Sequence, residues 1–335
     1  MKAIVSSRYG PPDILKLRDI ERPVPGDGQV LIRVHASSVT PMDWRFRSGS
    51  FPPRIYTGLV RTRFPVLGFD VAGEIEATGP GIRHLKQGDH VYGATPRGGA
   101  HAEYVAVSEE EVVPKPENMT SEEAATVPFS GNTALAYLRN LGGIQSGHEV
   151  LINGASGGTG IFAVQLAKHF GASVTGVCST TNLDMVRSLG ADEMIDYTKE
   201  DFTASGRQYD IVFDAVGKTS FSRCKQLLRA HGTYMATVAT VPLLLQMLWT
   251  SRFGERKAKF TLPGRSRQDL LFLKELVEAG KMRTVIDRTY PLSEVADAHR
   301  YMEKGHAKGK VAVTVHRERD LHPENGANRR DSFPE

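Results

Sequence analysis

The sequence predicts an α/β protein that contains a doubly wound parallel sheet and a smaller domain of short strands. Strand-like and helix-like segments alternate from His148 onward, which calls for parallel strands joined by right-handed crossovers. Before about residue 120, β-rich runs are separated by glycine and proline turns without a helical period, as in a small barrel or sandwich. The 335 residues amount to about two domains at ~150 residues each.

The predicted strands are β-branched and apolar runs that lie between turn residues. In the first domain they are residues 29–36, 73–77, 89–92 and 101–107. In the parallel sheet they are residues 149–153, 173–178, 193–196, 210–214 and 232–238, with helices at 157–170 and 183–189 among them. Thr120 followed by Glu123 is a capping-box pattern that predicts a helix start. Later helices are expected at residues 267–279 and 293–303, and a closing strand at 310–315.

Composition excludes several classes of protein. Apolar residues make up 40% of the chain and charged residues 24%, which is ordinary for a folded globular protein. The two cysteines, Cys178 and Cys224, are too few for a disulfide framework or a four-thiolate zinc site. A net charge of +4 without a long basic block does not favour a nucleic-acid partner.

The apolar segments are too short to cross a membrane. The longest, residues 241–249, falls far below the ~20 residues that a spanning helix needs. Residues 1–5 lead directly into strand-like sequence and show no signal-peptide pattern. We therefore expect a soluble cytoplasmic protein with no membrane span.

The strongest chemical signal is a glycine-rich turn between a predicted strand and a predicted helix. After the apolar strand 149–153 the sequence reads GASGGTG, whose residues are Gly154, Ala155, Ser156, Gly157, Gly158, Thr159 and Gly160. Free backbone N–H groups and the helix dipole attract a pyrophosphate at such a point, and glycines let it approach the backbone. The spacing is that of a dinucleotide fingerprint with Ala155 in place of the first glycine. The alternative is an ordinary tight turn.

The end of the second strand bears on which dinucleotide is bound. NAD sites usually carry a carboxylate there, which binds the ribose 2′-hydroxyl. Here Cys178 is followed by Ser179, two threonines and Asn182, and the first acid is Asp184. Hydroxyl and amide groups can bind a 2′-phosphate that a carboxylate would repel, so NADP(H) is the expected cofactor. The same residues are also typical of a helix N-cap.

In their order and spacing, several motifs resemble those of the zinc-independent medium-chain dehydrogenase/reductase superfamily, in particular its quinone oxidoreductase-like branch. In chain order they are ASSVTPMDW from Ala36, LGFDVAG from Leu67, GAHAEYV from Gly99, PxxGxTA from Pro128, the glycine turn, FDAVG from Phe213 and GHAKGKV from Gly305. The resemblance covers about residues 1 to 316. It implies a GroES-like β-barrel domain of residues 1–118 and 260–316, a Rossmann NADP-binding domain of residues 119–259, and a homodimer. Residues 317–335 are polar without an apolar period and are expected to be disordered.

The resemblance also bears on metal binding. Alcohol dehydrogenases of this superfamily have Cys where this chain has Thr40 and His where it has Phe69. A hydroxyl and a phenyl ring are not credible zinc ligands in such a site, so no metal is expected. Without a metal, the favoured reaction is hydride transfer to a small hydrophobic electrophile, a quinone or an α,β-unsaturated carbonyl, whose product anion is stabilised by conjugation. The alternatives are an enoyl-thioester reductase and a non-catalytic NADPH-binding regulatory protein.

Several single residues match family positions near the reacting groups. Thr40 and Asp43 match positions beside the nicotinamide ribose and the substrate, but they also form a helix start. A tyrosine that other members can use as a proton donor is Phe51 here, and Tyr56 is the nearby substitute, with a packed surface residue as the alternative. His101 is a lone histidine, more typical of a structural role.

Other residues match positions along the cofactor. Thr133 matches a position near the nicotinamide, or is an ordinary helix-interior threonine. Tyr197 and Lys310 match residues near the 2′-phosphate, or are a strand-end aromatic and a solvated strand charge. Four further residues are expected beside the cofactor because they end the fourth and fifth strands: Ala215, Val216, Thr237 and Val238. The leucine-rich run 241–249 is interpreted as a substrate channel, a dimer contact or a buried core helix.

Overall fold

The computed structural model describes residues 1–49, 58, 62–262, 264 and 266–316. They form two compact units. The first contains the described residues of Met1–Pro128 and Arg288–Gly305 and residues 311–316, and the second contains those of Phe129–Asp287 and His306–Lys310. The domain boundaries implied by the family resemblance stay predictions, and the expected disorder of residues 317–335 lies outside the described residues.

The secondary structure alternates between strands and helices along most of the chain. The strands are β1 (Lys2–Val5), β2 (Lys16–Asp19), β3 (Gln29–Val39), β4 (Asp70–Thr78), β5 (His90–Ala94), β6 (Tyr104–Ser108), β7 (Val112–Pro114), β8 (Glu149–Asn153), β9 (Ser173–Cys178), β10 (Glu193–Asp196), β11 (Tyr209–Asp214), β12 (Leu228–Ala236), β13 (Lys257–Lys259), β14 (Ile286–Pro291) and β15 (Lys310–Thr314). The α-helices of the described residues are α1 (Pro41–Ser48), α2 (Ser121–Ala124), α3 (Pro128–Leu135), α4 (Gly160–His169), α5 (Leu183–Ser188), α6 (Phe221–Cys224), α7 (Val241–Arg252), α8 (Arg267–Glu278) and α9 (Val295–Glu303). None of these helices is long and apolar enough to cross a membrane.

A seven-stranded sheet, paired in the order β14-β15-β3-β4-β5-β7 with β6 also on β3, contains most strands of the first unit. The long strand β3 pairs with β4 through two register irregularities, between Leu31 and Ile32 and between Val34 and Ala36. Such irregularities bend a strand and increase its twist, which lets one strand take part in a strongly curved sheet. The cluster of buried residues between the strands includes Val71. The predicted domain of short strands is therefore present.

A six-stranded parallel sheet in the order β10-β9-β8-β11-β12-β13 forms the centre of the second unit. The strand order reverses between β8 and β11, and ligands of open α/β sheets bind at the carboxyl ends of strands at such a switch point. Strands β8, β9 and β10 have the predicted bounds. Strand β13 was not predicted, because three residues carry no readable period.

The leucine-rich run forms helix α7, which begins with Thr240 as its N-cap. Only Leu243 and Thr250 of this helix are buried. The interpretation as a buried core helix is therefore wrong. A helix with apolar residues on every face is usually buried, so periodicity alone could not reveal that one face is exposed here.

Candidate functional site

The turn between β8 and α4 needs glycine at two positions for steric reasons. Gly154 has a φ of +82°, and a Cβ on it would lie 2.4 Å from Cγ1 of Val216. A Cβ on Gly160 would lie 2.0 Å from the Gly154 carbonyl oxygen. The first turn of α4 therefore packs directly against the end of β8, which brings the helix N-terminus to the end of the strand.

Ala155 occupies the place of the first glycine of the usual fingerprint because a neighbouring strand makes room for its methyl group. It is completely buried, and its Cβ faces Gly176 on β9, where an added Cβ would lie 3.1 Å away. The N–H groups of Gly154 and Ala155 both donate to the carbonyl oxygen of Val177 at 3.0 Å. The turn therefore stays hydrogen-bonded to β9 although Ala155 replaces the first glycine of the fingerprint.

The four residues from Ser156 to Thr159 are half-buried, between the buried Ala155 and the buried Gly160. A Cβ on Gly157 would have only one close neighbour, the Gly154 carbonyl oxygen at 3.3 Å. The first N–H groups of an α-helix have no acceptor within the helix, and they carry the positive end of its dipole. The turn is therefore accessible and suited to an anion.

Lys310 lies beside this turn. Its Nζ donates to Oγ of Ser130 at 2.8 Å, and the residue is 2% exposed. An added Cβ on Gly158 would lie 3.2 Å from Cδ of Lys310, and the N–H of Gly309 donates to the carbonyl oxygen of Ser156 at 2.8 Å. The interpretation of Lys310 as a solvated strand charge is wrong, because tertiary packing buries it against the glycine turn. Ser130 was not predicted as part of this arrangement.

Asn182 connects the glycine turn to the end of β9. Its Nδ2 donates to Oγ of Ser156 and to Oγ of Ser179, both at 3.2 Å. Its Oδ1 is buried and accepts no hydrogen bond from the described residues. An unpartnered buried acceptor costs stability unless a ligand supplies a donor, so this site fits the hydroxyl of a bound ribose. Cys178 is buried, and burial, with the neighbouring Asp196 carboxylate, raises the pKa of its thiol to about 11.

Asp196 is a carboxylate that the sequence reading missed. The register of β9 and β10 sets it opposite Cys178, and its carboxylate accepts from the hydroxyls of Thr180 and Thr198. These hydrogen bonds, that from Thr180 first, lower its pKa to about 2. Tyr197, the next residue, is 53% exposed. The pairing of β9 with β10 sets which residues lie next to Asp196, so a local sequence pattern does not reveal them.

Asp214, at the end of β11, fixes the loops at the carboxyl edge of the sheet. The buried carboxylate accepts from Nδ2 of Asn153 at 3.0 Å and from the N–H groups of Gly217 and Thr219 at 2.9 and 3.0 Å. It also accepts from the Tyr234 hydroxyl at 3.3 Å. One carboxylate thus links β8, β12 and the loop after β11. The FDAVG motif contains this residue, but its partners lie far apart in sequence, so its role was not predicted.

The residues predicted at the ends of the fourth and fifth strands lie in this edge of the second unit. Val216 is 40% exposed, and Thr237 Oγ1 donates to the Ala215 carbonyl oxygen at 3.1 Å. Val238 approaches Gly217, where an added Cβ would lie 2.4 Å from its Cγ2. These positions stay predicted cofactor contacts.

Thr133 lies inside helix α3. Its Oγ1 donates to the Phe129 carbonyl oxygen at 2.7 Å, one turn earlier in the chain, and the residue is buried. This is the geometry of the helix-interior threonine that was the alternative interpretation.

In the first unit, Thr40 and Asp43 form the start of α1. Asp43 Oδ2 accepts from both the N–H and the hydroxyl of Thr40, each at 2.7 Å, and Oδ1 accepts from the Gly68 N–H at 2.9 Å. Both residues are buried. The geometry fits the helix-start interpretation, and their predicted contact with substrate or cofactor stays a prediction. Phe51 and Tyr56 lie outside the described residues.

A second polar cluster of the first unit consists of His101, His299 and Arg47, all buried. His101 Nε2 lies 3.1 Å from the Ser38 carbonyl oxygen, and Arg47 Nε donates to Nδ1 of His299 at 3.3 Å. Burial lowers the pKa of His101, and burial with nearby positive charge lowers that of His299 well below its usual value. Phe69 is also buried. Among the described residues, no three His, Cys, Asp or Glu side chains form a group that could hold a metal ion.

Comparison with known proteins gives matches over most of the chain. The family model for the alcohol dehydrogenase GroES-like domain matches residues 26–117, and that for zinc-binding dehydrogenase matches residues 189–313. NAD(P)H oxidoreductase RTN4IP1, mitochondrial, of Mus musculus is 35% identical over 94% of this chain and 89% of its own length. NADPH-dependent alkenal/one oxidoreductase, chloroplastic, of Arabidopsis thaliana is 36% identical over 93% of this chain and 79% of its own length.

Solved structures agree with these matches. The quinone oxidoreductase from Coxiella burnetii has a TM-score of 0.85 and 33% identity, covering 94% of this chain and 99% of that chain. The chain therefore belongs to the medium-chain dehydrogenase/reductase superfamily of oxidoreductases, in its quinone oxidoreductase-like branch.

Proposed function

We propose that the protein is an NADPH-dependent reductase of quinones or α,β-unsaturated carbonyls that works without a metal ion. The observation that carries this proposal is the half-buried glycine turn, with Asn182 hydrogen-bonded to Ser156 and an unpartnered amide oxygen beside it. The turn and the buried Lys310 ammonium fit the diphosphate of a dinucleotide, and Asn182 Oδ1 fits a ribose hydroxyl.

Three features support NADPH over NADH. The loop that follows β9 carries hydroxyl and amide groups from Ser179 to Asn182 and no acid. Tyr197, which directly follows β10, is exposed for contact. The relative from Arabidopsis thaliana is described as NADPH-dependent.

The groups that the chain offers support a conjugated acceptor. When bound, NADPH supplies a hydride to the substrate. The Thr40 hydroxyl donates to Asp43, and neither Thr40 nor Phe69 is a metal ligand. A conjugated acceptor needs the least stabilisation from the protein, because the charge of its product anion is delocalised. The protein then mainly orients the substrate. The relatives described as quinone and alkenal/one oxidoreductases support this choice.

The direct experiment is a panel of quinones, enals, enones and enoyl thioesters assayed with both cofactors by the absorbance of the reduced nicotinamide. We expect turnover of quinones or enones with NADPH, and a KM for NADH at least about tenfold higher because the 2′-phosphate contacts are lost. Turnover confined to enoyl thioesters would contradict the proposed substrate class, and binding of NADPH without oxidation would indicate a regulatory protein instead.

Gly157→Ala tests whether the turn holds the cofactor. Its added methyl group has room in the fold, with one neighbour at 3.3 Å, but it occupies the space needed for the diphosphate. We expect NADPH affinity to fall by about tenfold or more, while the thermal midpoint without cofactor changes little. Gly264→Ala is the matched control, because no atom lies within 4 Å of an added Cβ there. The homodimer and the cytoplasmic location stay predictions.

A further inference from the structure

Two buried histidines of the first unit each have one ring nitrogen whose hydrogen-bonding capacity is unused. They are His101, which lies just before β6, and His299 of α9, and both are 0% exposed. Their rings meet edge to face, with centroids 6.1 Å apart. Nδ1 of His101 and Nε2 of His299 have no hydrogen-bond partner among the described residues. A buried polar atom costs stability until a partner satisfies it.

The partners of the other two nitrogens determine where the ring protons lie. Burial lowers the pKa of both imidazoles, which favours their neutral forms. Arg47 Nε can only donate, and it lies 3.3 Å from Nδ1 of His299, so the proton of this ring lies on Nε2. The Ser38 carbonyl oxygen can only accept, and it lies 3.1 Å from Nε2 of His101, so that nitrogen carries the proton. The two unpartnered atoms are therefore a donor on His299 and an acceptor on His101.

A donor and an acceptor in one enclosed cluster need a ligand that can accept from one and donate to the other. A metal ion would need a lone pair from each nitrogen, and the protonated Nε2 of His299 has none to give. Water accepts and donates, and buried water molecules commonly satisfy such groups. One water reaches two nitrogens up to about 5.8 Å apart, at about 2.9 Å from each. Rings with centroids 6.1 Å apart present facing nitrogens within this reach.

The groups around the two rings already have partners of their own. Arg47, besides its hydrogen bond to His299, forms an ion pair with Glu303 at the end of α9. His101 packs against Gly68, where an added Cβ would lie 2.7 Å from Cδ2 of the ring, and the Gly68 N–H donates to Asp43 at 2.9 Å. Both rings are buried within one chain, so a second copy of the chain cannot supply the missing hydrogen bonds.

We propose that one water molecule bridges His299 and His101. The water accepts from Nε2–H of His299 and donates one of its hydrogens to Nδ1 of His101. This bridge joins α9, near the C-terminal end of the described chain, to the segment before β6. The proposal is independent of the proposed reductase activity, since its test uses neither cofactor nor electrophile.

Two substitutions remove the bridging atoms and keep the other hydrogen bond of each ring. In His299→Asn the amide oxygen can replace Nδ1 as the acceptor for Arg47, and in His101→Gln the amide nitrogen can replace Nε2 as the donor to Ser38. We expect each substitution to lower the thermal midpoint by about 5 °C. The double variant should lose no more than about 7 °C, because the bridge can be lost only once.

His84→Asn is the matched control for these variants, because His84 belongs to the first unit and its side chain is exposed. It should keep the thermal midpoint of the parent. Losses in the double variant that equal the sum of the two single losses would overturn the proposal, because they would show that the two rings do not share a bridging molecule.

A high-resolution crystal structure of the parent chain tests the bridge without any substitution. The expected result is a water oxygen within hydrogen-bond distance of both His101 Nδ1 and His299 Nε2. Nitrogen NMR of labelled histidines should show both rings neutral, with the proton on Nε2. A direct N–H···N hydrogen bond between the rings, a bound ion, an empty space between them, or a proton on Nδ1 of either ring would overturn the proposal.

Discussion

The glycine turn of the second unit and the histidine cluster of the first unit differ in how far their polar groups are exposed. At the turn, Ser156 to Thr159 are half-buried, and Asn182 leaves an acceptor without a donor. In the cluster, His101, His299 and Arg47 are buried, and burial lowers the pKa of both histidines. Nδ1 of His101 and Nε2 of His299 also lack a hydrogen-bond partner among the described residues, so the two regions differ in access and not in unused hydrogen-bonding capacity. A half-buried turn can receive a ligand, whereas enclosed neutral imidazoles contribute to stability. Binding and stability should therefore respond to different substitutions.

The largest effect is expected for Gly160→Ala, which should destabilise the fold as well as the site. The added Cβ would lie 2.0 Å from the Gly154 carbonyl oxygen and 2.8 Å from Cα of Ala155. Both atoms belong to the backbone, so relief requires moving α4 away from β8. We expect a loss of about 3 kcal/mol or more in the free energy of unfolding, measured by urea denaturation. Stability equal to that of Gly264→Ala would refute this packing.

Asp214→Asn should have the next largest effect, because it changes a buried acceptor that serves several donors. The carboxylate accepts from Asn153, Gly217, Thr219 and Tyr234, and an amide has only one acceptor oxygen. We expect a loss of about 2 kcal/mol and weaker NADPH binding from looser loops. Asp184→Asn, at a side chain that is 99% exposed, is the control and should change neither quantity.

Mild acid should destabilise the first unit. A histidine whose pKa is lowered in the folded state gives stability that is complete above the usual value of 6.5 and is lost as the pH falls toward the folded value, because the unfolded chain binds more protons. A protonated His299 would also face Arg47. Trp44 lies in the first unit and Trp249 in the second, so two single-tryptophan variants can follow unfolding separately.

We expect the urea midpoint that Trp44 reports to fall when the pH is lowered from about 7.5 to about 5.5, and the midpoint that Trp249 reports to fall less. A first unit equally stable at both pH values would contradict the enclosed, neutral state of the two histidines.

The smallest effect is expected for Thr133→Val. The Thr133 hydroxyl donates to the Phe129 carbonyl oxygen within α3, so its loss should cost about 1 kcal/mol or less. If the hydroxyl has only this role, the affinity for NADPH measured by fluorescence quenching stays that of the parent. A clear loss of affinity would support the predicted nicotinamide contact instead.

The sequence predicted those parts of the fold that depend on local pattern. Strands β8 to β10 follow from short runs rich in apolar residues between turn residues, and the glycine turn follows from the glycines directly after β8. The Thr120–Glu123 capping box is present as expected. The contacts that the sequence did not predict join residues that lie far apart in the chain. Lys310 donates to Ser130, which lies 180 residues away in the sequence. The pairing of β9 with β10 brings Asp196 close to Thr180, and Asp214 accepts hydrogen bonds from three separate segments of the chain. The exposure of α7 could not be predicted from the sequence either, because a helix with apolar residues on two faces has the composition of a core helix.

Hydrogen exchange of the backbone with and without NADPH tests the central claim most directly. The predicted result is slower exchange at residues 154–160 and 179–182, with little change around His101 and His299. Unchanged exchange at the glycine turn at saturating NADPH, with protection elsewhere, would contradict the claim that the diphosphate rests on this turn.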